Sequence, residues 1–375
     1  MNGILRIAYK LLVNDRPKFS ALLVGITFAV FLMVQMTSLF SGILARASAT
    51  VVNVGARVWV MDPAVQTVAN SIPLPDYVLD AVRSVDGVRY AVPMYSGGAL
   101  VRLDDGTYQA VTVIGLDDTT LFGRPEVTRG SIEDIYAEHG FLVVDDAEYH
   151  KLGNPDIGAE FELNDNRGVI VGVAHVASSG LFGVPTLYTT FTRAIPSMRY
   201  TISYVLVEPK SADAIPRIKQ AVSRLGYVAL TNDEFVAQIS AFYKFQTGLG
   251  VNLFLMTVMS FVVGLSISGQ TFYSFVLENL EKFGALKAIG AKGAVLVRMI
   301  LFQAGFTALT GYGLGVGICT LMIAAARLRL PDYAATITWG NLLLAFCMVL
   351  VIAGISSYIA VRKVLRIEPF DIFRG

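Results

Sequence analysis

Residues 19–43 read FSALLVGITFAVFLMVQMTSLFSGI, a stretch with no charged side chain. As a helix rising ~1.5 Å per residue it is long enough to cross a hydrocarbon layer of ~30 Å. Three further charge-free runs follow, at Phe245–Leu277, Met299–Ala326 and Tyr333–Val361. An ionised group at the centre of a bilayer is costly, so four such runs specify an α-helical membrane protein with four transmembrane helices. Their placement is uneven. One span comes first, a long stretch of mixed polarity follows, and three spans close the chain.

The composition agrees with that layout: 375 residues, 54% hydrophobic and only 16% charged. The net charge of +1 conceals an asymmetry. Segments 1–18, 278–298 and 362–375 together carry twelve Lys/Arg against five Asp/Glu, while residues 44–244 carry sixteen against twenty-three. Counted in short flanking segments, this excess places both termini and the 278–298 loop in the cytoplasm. The inserted stretch then faces outward, and its acidity argues against nucleic acid as a partner. Cys319 and Cys347 are the only cysteines and both fall in apolar spans, so no disulfide framework supports the insertion. It must fold on a core of its own, for which two hundred residues suffice. The first run reads as a retained span, since Met1–Lys18 is too long and polar for a signal-peptide n-region and no A-x-A site closes the run cleanly.

The expected organisation runs as follows. An interfacial helix over 1–18 carries Ile4, Ile7, Ala8, Leu11 and Leu12 at helical spacing, and Pro17 ends it. Spans cover 19–43, 241–277, 299–326 and 339–361, separated by an extracytoplasmic α+β domain over 44–240, a cytoplasmic helix over 278–293 and a short outer loop over 327–338. A cytoplasmic tail occupies 362–375. Within the insertion, strands are expected at Val88–Pro93, Ala99–Leu103 and Tyr108–Ile114, with a turn at Asp104-Asp105-Gly106. A second hairpin pairs Glu160–Leu163 with Val169–Val173, and a helix lies near Ala212–Leu225. Thr231 with Glu234 forms a capping-box signature. No proline follows until Pro331, so one helix is expected from about Asn232 to about Glu278, a rod of roughly 70 Å.

Little in the chain suggests catalysis or metal chemistry. His139, His150 and His175 lack H-x-H or H-x-x-x-H spacing, and Ser178-Ser179-Gly180 lacks a G-x-S-x-G elbow. Gly311, Gly313, Gly315 and Gly317 lie in an apolar span without a lysine, so they do not form a phosphate loop. Gly311/Gly315, Gly313/Gly317 and Gly264/Ser268 are small-xxx-small pairs suited to helix packing. Gln35, Asn252, Gln270 and Gln303 are the strongest polar groups of the spans and read as interhelical hydrogen-bonding groups. The absence of ionisable groups from the spans weighs against an ion-coupled carrier.

The cytoplasmic segment Glu278-Asn279-Leu280-Glu281-Lys282-Phe283-Gly284-Ala285-Leu286-Lys287-Ala288-Ile289-Gly290-Ala291-Lys292 is amphipathic, with Gly290 placed as a helix C-cap. Its stretch from Glu281 to Ala291 resembles the R-E-x-G-x-L-K-A-I-G-A signature of FtsX/MacB-type ABC transporter permeases. The tail from Arg362 to Arg374 is similar to that family's A-x-R-x-x-x-x-x-P-x-x-x-L-R ending, with Phe373 where Leu is usual. The one-plus-three layout matches as well. The N-terminus most resembles the DevC/HrtB-like branch. The resemblance implies a homodimeric permease of the bacterial cytoplasmic (inner) membrane, served by a separate cytoplasmic ABC ATPase subunit that carries ATP and magnesium. This chain has no G-x-x-x-x-G-K-[ST] and no cofactor or catalytic residue of its own. By the same resemblance Glu278, Glu281, Lys282, Phe283, Gly284, Leu286, Lys287 and Gly290 form an ATPase-coupling helix, and Lys282-Phe283 departs from the family's more acidic pair. The implied function is export or mechanotransmission, with membrane lipid and a periplasmic adaptor (membrane-fusion) protein as further partners. The alternatives are an FtsX-like regulator of a cell-wall hydrolase and a lipoprotein-extracting subunit.

Overall fold

The computed structural model describes residues 3–103, 105–177, 180, 183–195, 201–330 and 332–365. Its elements in chain order begin with α1 (Gly3–Asn14), α2 (Arg16–Ala47), α3 (Ala49–Val54), β1 (Val58–Met61), α4 (Asp76–Arg83), β2 (Val88–Arg102) and β3 (Tyr108–Leu116). Next come β4 (Glu126–Gly130), β5 (Gly140–Val144), β6 (Glu160–Leu163), β7 (Asn166–His175), β8 (Thr186–Thr190), α5 (Phe191–Ala194) and β9 (Tyr204–Pro209). The remainder is α6 (Ile215–Arg224), β10 (Val228–Thr231), α7 (Asn232–Ala241), α8 (Gly248–Glu278), α9 (Leu280–Ala288), α10 (Gly293–Arg329) and α11 (Trp339–Leu365). Two compact units result. One joins Met1–Gly42, Leu249–Arg329 and Ala335–Gly375; the other joins Ile43–Gly248 with Leu330–Ala334.

The first unit is helical, and α2, α8, α10 and α11 are the helices long and apolar enough to span a membrane. Glycine sets how closely they approach. A Cβ at Gly311 would lie 2.6 Å from Ile26 Cγ2, and one at Gly315 would lie 2.7 Å from Val30 Cβ and 2.8 Å from the Thr27 carbonyl. Gly264 abuts Ala29 in the same manner, and Ser268 is buried beside it on α8. Gly313 and Gly317 have nothing within 4 Å. Of the two overlapping glycine pairs on α10, one therefore seats α2 and the other faces open space. The polar residues divide similarly. Gln303 Nε2 donates to the Ala8 carbonyl at 2.9 Å, and Gln35 Oε1 accepts from Cys319 Sγ at 3.4 Å. Asn252 and Gln270, expected to bond between helices, instead lie on exposed faces of α8.

α1 is more than an interfacial helix. Ala8 and Leu12 are fully buried in a cluster with Leu22, Phe272, Phe275, Phe283 and Ile300, and Tyr9 meets Phe306 edge-on at 5.3 Å. Leu11 is half-buried against the same cluster, whereas Ile4 and Ile7 are exposed.

The second unit is a mixed α+β domain around one ten-stranded sheet. The order is β10-β1-β9-β2-β3-β8-β5-β7-β4, with β6 against β2 and β7. β2 is a single long strand where two were expected. Its first half pairs with β9 and its second half, from Tyr95 to Arg102, with β3. Gly97 and Gly98 mark the interruption in side-chain pattern that suggested a break, but the ladder continues through both. The β6–β7 connection is a two-residue turn. Asn164 and Asp165 both take left-handed φ (46° and 64°), as a type I′ hairpin requires, so β7 begins three residues earlier than its apolar pattern suggests. β1 and β5, the runs Val58–Met61 and Gly140–Val144, are buried at every position and so lack the alternation of a half-exposed strand. Trp59, Tyr204 and Phe235 pack together at the centre.

The capping box at Thr231 is present: Glu234 N–H donates to Thr231 Oγ1 at 3.3 Å, and Thr231 N–H to Glu234 Oε2 at 2.8 Å. The rod expected beyond it is not. α7 ends at Ala241, Phe242–Gln246 forms a π-helical turn, and Thr247 is extended (φ −112°, ψ 152°) before α8 begins at Gly248. The breaker is glycine rather than proline. Gly248 and Gly250 lower the helical preference just where a π turn has shifted the hydrogen-bond register. Asp104, Ser178, Ser179, Pro331 and the tail motif from residue 366 onward lie outside the described residues.

The glycine contacts predict unequal costs on α10. Gly315→Ala should destabilise the purified protein by about 1–3 kcal/mol through overpacking against α2, whereas Gly317→Ala should be neutral or slightly stabilising. Thermal unfolding in detergent measures both, and equal midpoints for the two variants would contradict this packing.

Candidate functional site

α9 sits on the short connection between α8 and α10, and its two faces differ. Phe283 is fully buried within the cluster that holds Phe272, Phe275, Leu296 and Met299, and Gly284 is buried beside it. Leu286 is half-buried against the same cluster. Glu281, Lys282, Ala285, Ala288 and Ile289 are exposed, and Ile289 is 82% so. The residues expected to couple as one set are thus divided. Phe283, Gly284 and Leu286 anchor the helix, while Glu281, Lys282 and their exposed neighbours present a surface. Burying one Phe side chain contributes roughly 1.5–3 kcal/mol, enough to hold so short a helix that would not form alone.

Both ends of α9 are fixed. At its start Asn279 is buried and donates from Nδ2 to the Phe275 carbonyl at 2.8 Å, and Lys282 Nζ donates to Asn279 Oδ1 at 2.7 Å. Asn279 was not singled out from sequence, although a buried Asn at a helix junction is a recognisable signal. Glu278 pairs with Lys18 at the start of α2, and Lys18 also lies 3.5 Å from Asp15. At its end Gly290 takes φ +95°. Gly290 N–H reaches the Lys287 carbonyl at 3.1 Å and Ala291 N–H the Leu286 carbonyl at 3.0 Å. Those two bonds make a Schellman motif, which satisfies carbonyls the helix leaves open and needs the left-handed residue that glycine supplies. Lys287 Nζ reaches the Leu365 carbonyl at 3.5 Å, tying α9 to the end of α11.

Beside α9 lies a groove of about 370 Å³, bordered by Ile4 and Ile7 of α1 and by Leu286, Ile289 and Val295. The exposed apolar residues of α1 and the exposed end of α9 therefore line one concave surface. No cluster of metal-ligating side chains occurs among the described residues. His175 Nδ1 faces Asp145 Oδ1 at 3.0 Å and His150 Nδ1 faces the Ala147 carbonyl at 2.7 Å, so the histidines are occupied separately.

Comparison with known proteins covers most of the chain. Residues 20–225 match the MacB-like periplasmic core domain, and residues 253–369 match the FtsX-like permease C-terminal region. An uncharacterized ABC transporter permease of Mycobacterium tuberculosis (strain H37Rv) is 24% identical over 359 residues, which is 94% of this chain and 93% of that protein. The putative hemin transport system permease protein HrtB of Staphylococcus haemolyticus is 23% identical over 42% of this chain and 43% of its own length. The macrolide export ATP-binding/permease protein MacB of Burkholderia thailandensis is 23% identical over 67% of this chain and 39% of its own length. Among solved structures, the extracellular domain of the noncanonic ABC-type transporter YknZ aligns with 47% of this chain and 99% of that domain, at 16% identity and TM-score 0.36. The periplasmic region of MacB from Actinobacillus actinomycetemcomitans aligns with 50% of this chain and 95% of that region, at 13% identity and TM-score 0.37. With a MacB-like core domain after its first span and an FtsX-like region across its last three, the chain belongs to the ABC transporter permeases of the MacB/FtsX type.

Proposed function

We propose that this chain is the membrane subunit of a bacterial ABC exporter that works by mechanotransmission, in which a separate cytoplasmic ATPase drives movement of the extracytoplasmic domain. The observation that carries this reading is the division of α9. One face is locked into the bundle by Phe283 and the other is exposed beside a groove. A push on the exposed face would pass to α8 and α10 instead of being absorbed by a loose loop. The excess of Lys/Arg around residues 278–298 supports a cytoplasmic position for that face.

In this reading the chain acts as a homodimer in the cytoplasmic membrane, binds ATP only through its partner, and meets substrate at or outside the outer leaflet with a periplasmic adaptor. Force leaving α8 arrives at the π turn and extended Thr247, so the extracytoplasmic domain is driven through a hinge and not by a continuous rod. The FtsX-like regulator remains the second reading, favoured by the same exposed α9 face. Transport by the reconstituted complex separates the two, because a regulator moves no substrate.

Two outcomes test the proposal. Ala285→Glu combined with Ile289→Asp alters only exposed positions, so the permease should keep its thermal stability. Its affinity for the ATPase should fall about tenfold or more, as loss of an interface anchor costs over 1 kcal/mol. Unchanged binding and unchanged transport would remove α9 from the interface. Gly248→Ala favours a helical residue at the break by about 0.5–1 kcal/mol, and nothing lies within 4 Å of the added methyl. Amide exchange over 242–248 should slow and transport should drop while ATPase binding stays intact. Slowed exchange with wild-type transport would show that the hinge has no part in the cycle.

A further inference from the structure

Two carboxylates two residues apart, Asp146 and Glu148, meet a third that is distant in sequence, Asp332, inside the second unit. Glu148 is wholly buried; its Oε1 accepts from Arg46 Nη1 at 3.2 Å, and its Oε2 is buried with no donor among the described residues. Asp146 Oδ1 accepts the Glu148 backbone N–H at 3.1 Å, and its Oδ2 is likewise buried without a donor. Asp332 pairs through Oδ2 with Lys151 Nζ at 2.5 Å, while its Oδ1 is the third such oxygen. Lys151 also donates to the Gly183 carbonyl at 2.8 Å.

Among the described residues two cations thus serve three carboxylates, and one more positive charge would balance them. Ionised carboxylates only accept hydrogen bonds, whereas a protonated carboxyl also donates. One proton shared between Glu148 and Asp146 would therefore satisfy two of the three oxygens, one as donor and the other as acceptor, and supply the missing charge as well. The charged and titratable groups that face the pair are Arg46 from the end of α2, Tyr188 from β8 and Asp332, and Asp332 in turn holds Lys151. His150 and His175 point to other partners and are not in this set.

We propose that Asp146 and Glu148 hold one proton between them in the folded protein, and that this proton governs how firmly Lys151 retains Asp332. With the proton in place the cluster is neutral and Lys151 pairs with Asp332 alone. Without it, a second negative charge in a buried site competes for the cations and repels Asp332. Burial first, and the charge of Asp146 second, push the Glu148 carboxyl up from 4.5 to about 7, and burial raises Asp146 as well. Between those values the folded protein keeps a proton that the unfolded chain has lost. The associated stability is therefore full below about 4.5 and lost as pH rises through about 7. Residues 330–334 are the first part of the connection from α10 to α11, so external acidity would act on the link between two spans.

The test uses the full chain in lipid nanodiscs, titrated from about pH 5.5 to about pH 8.5, a window above the range of ordinary surface carboxylates. Infrared difference spectra should show the C=O stretch of a protonated carboxylic acid at the acid end, lost with a midpoint near neutrality. Glu148→Gln should remove that band from the window, and Asp146→Asn should move its midpoint downward. Amide exchange at residues 332–334, corrected for intrinsic base catalysis, should quicken about threefold or more across the same transition in the wild type and stay flat in Glu148→Gln. A wild type with no acid band would mean both groups are ionised and served by water, which overturns the proposal. So would a band unchanged by either substitution, or wild-type exchange that does not follow pH. Should Glu148→Gln fail to fold, the wild-type titration and Asp146→Asn decide the matter.

Discussion

Phe283 lies without solvent exposure in the cluster that joins α1, α2, α8, α10 and α11. A nine-residue helix has little stability by itself, so this contact is what gives α9 a fixed position. It also decides which residues can meet a partner. With Phe283 and Gly284 turned inward, the outward face consists of Glu281, Lys282, Ala285 and Ala288, extended by Ile289 beyond the last turn. The Schellman motif at Gly290 and the Asn279 bonds at the other end leave the helix no easy way to rotate. Under the proposed function, a displacement applied to its exposed face would pass to the long helices on either side.

The path beyond α8 differs from a simple lever. A continuous helix from Asn232 to Glu278 would deliver an axial push directly, but the π turn at Phe242–Gln246 and the extended Thr247 separate α7 from α8. α7 itself is firmly held, through the capping box and through Phe235 packed on Trp59 and Tyr204. The break in helical geometry is therefore local, lying between α7 and α8. In the proposed cycle this joint is where axial motion of α8 would be taken up.

Much of this was legible in the sequence, for physical reasons that differ by element. The four spans follow from the cost of charge in hydrocarbon, and the capping box from paired side chains three residues apart. β1 and β5 escaped notice because a short run buried on both faces has no period to read. The length of β2 was hidden by Gly97 and Gly98, which interrupt the side-chain pattern without ending the ladder. The helix break has its sequence signal in Gly248 and Gly250, which are weaker breakers than proline and so leave an apolar helical pattern apparently continuous. In α9 the amphipathic pattern gave a helix with an inward face, yet only packing shows that Phe283 and Gly284 are anchors and not contacts for a partner. The acid cluster had no sequence signal at all, since Arg46, Asp146, Glu148 and Asp332 are brought together by tertiary structure alone.

Transmission of force from α9 to the extracytoplasmic domain is most directly measured as a distance. Spin labels at Glu138→Cys, in the inserted domain, and Leu328→Cys, in the last turn of α10, occupy exposed positions. In the complex with its ATPase, trapping ATP should shift the distance distribution between them by on the order of 5 Å or more relative to the nucleotide-free state. Identical distributions in both states, with ATP hydrolysis proceeding normally, would contradict mechanotransmission.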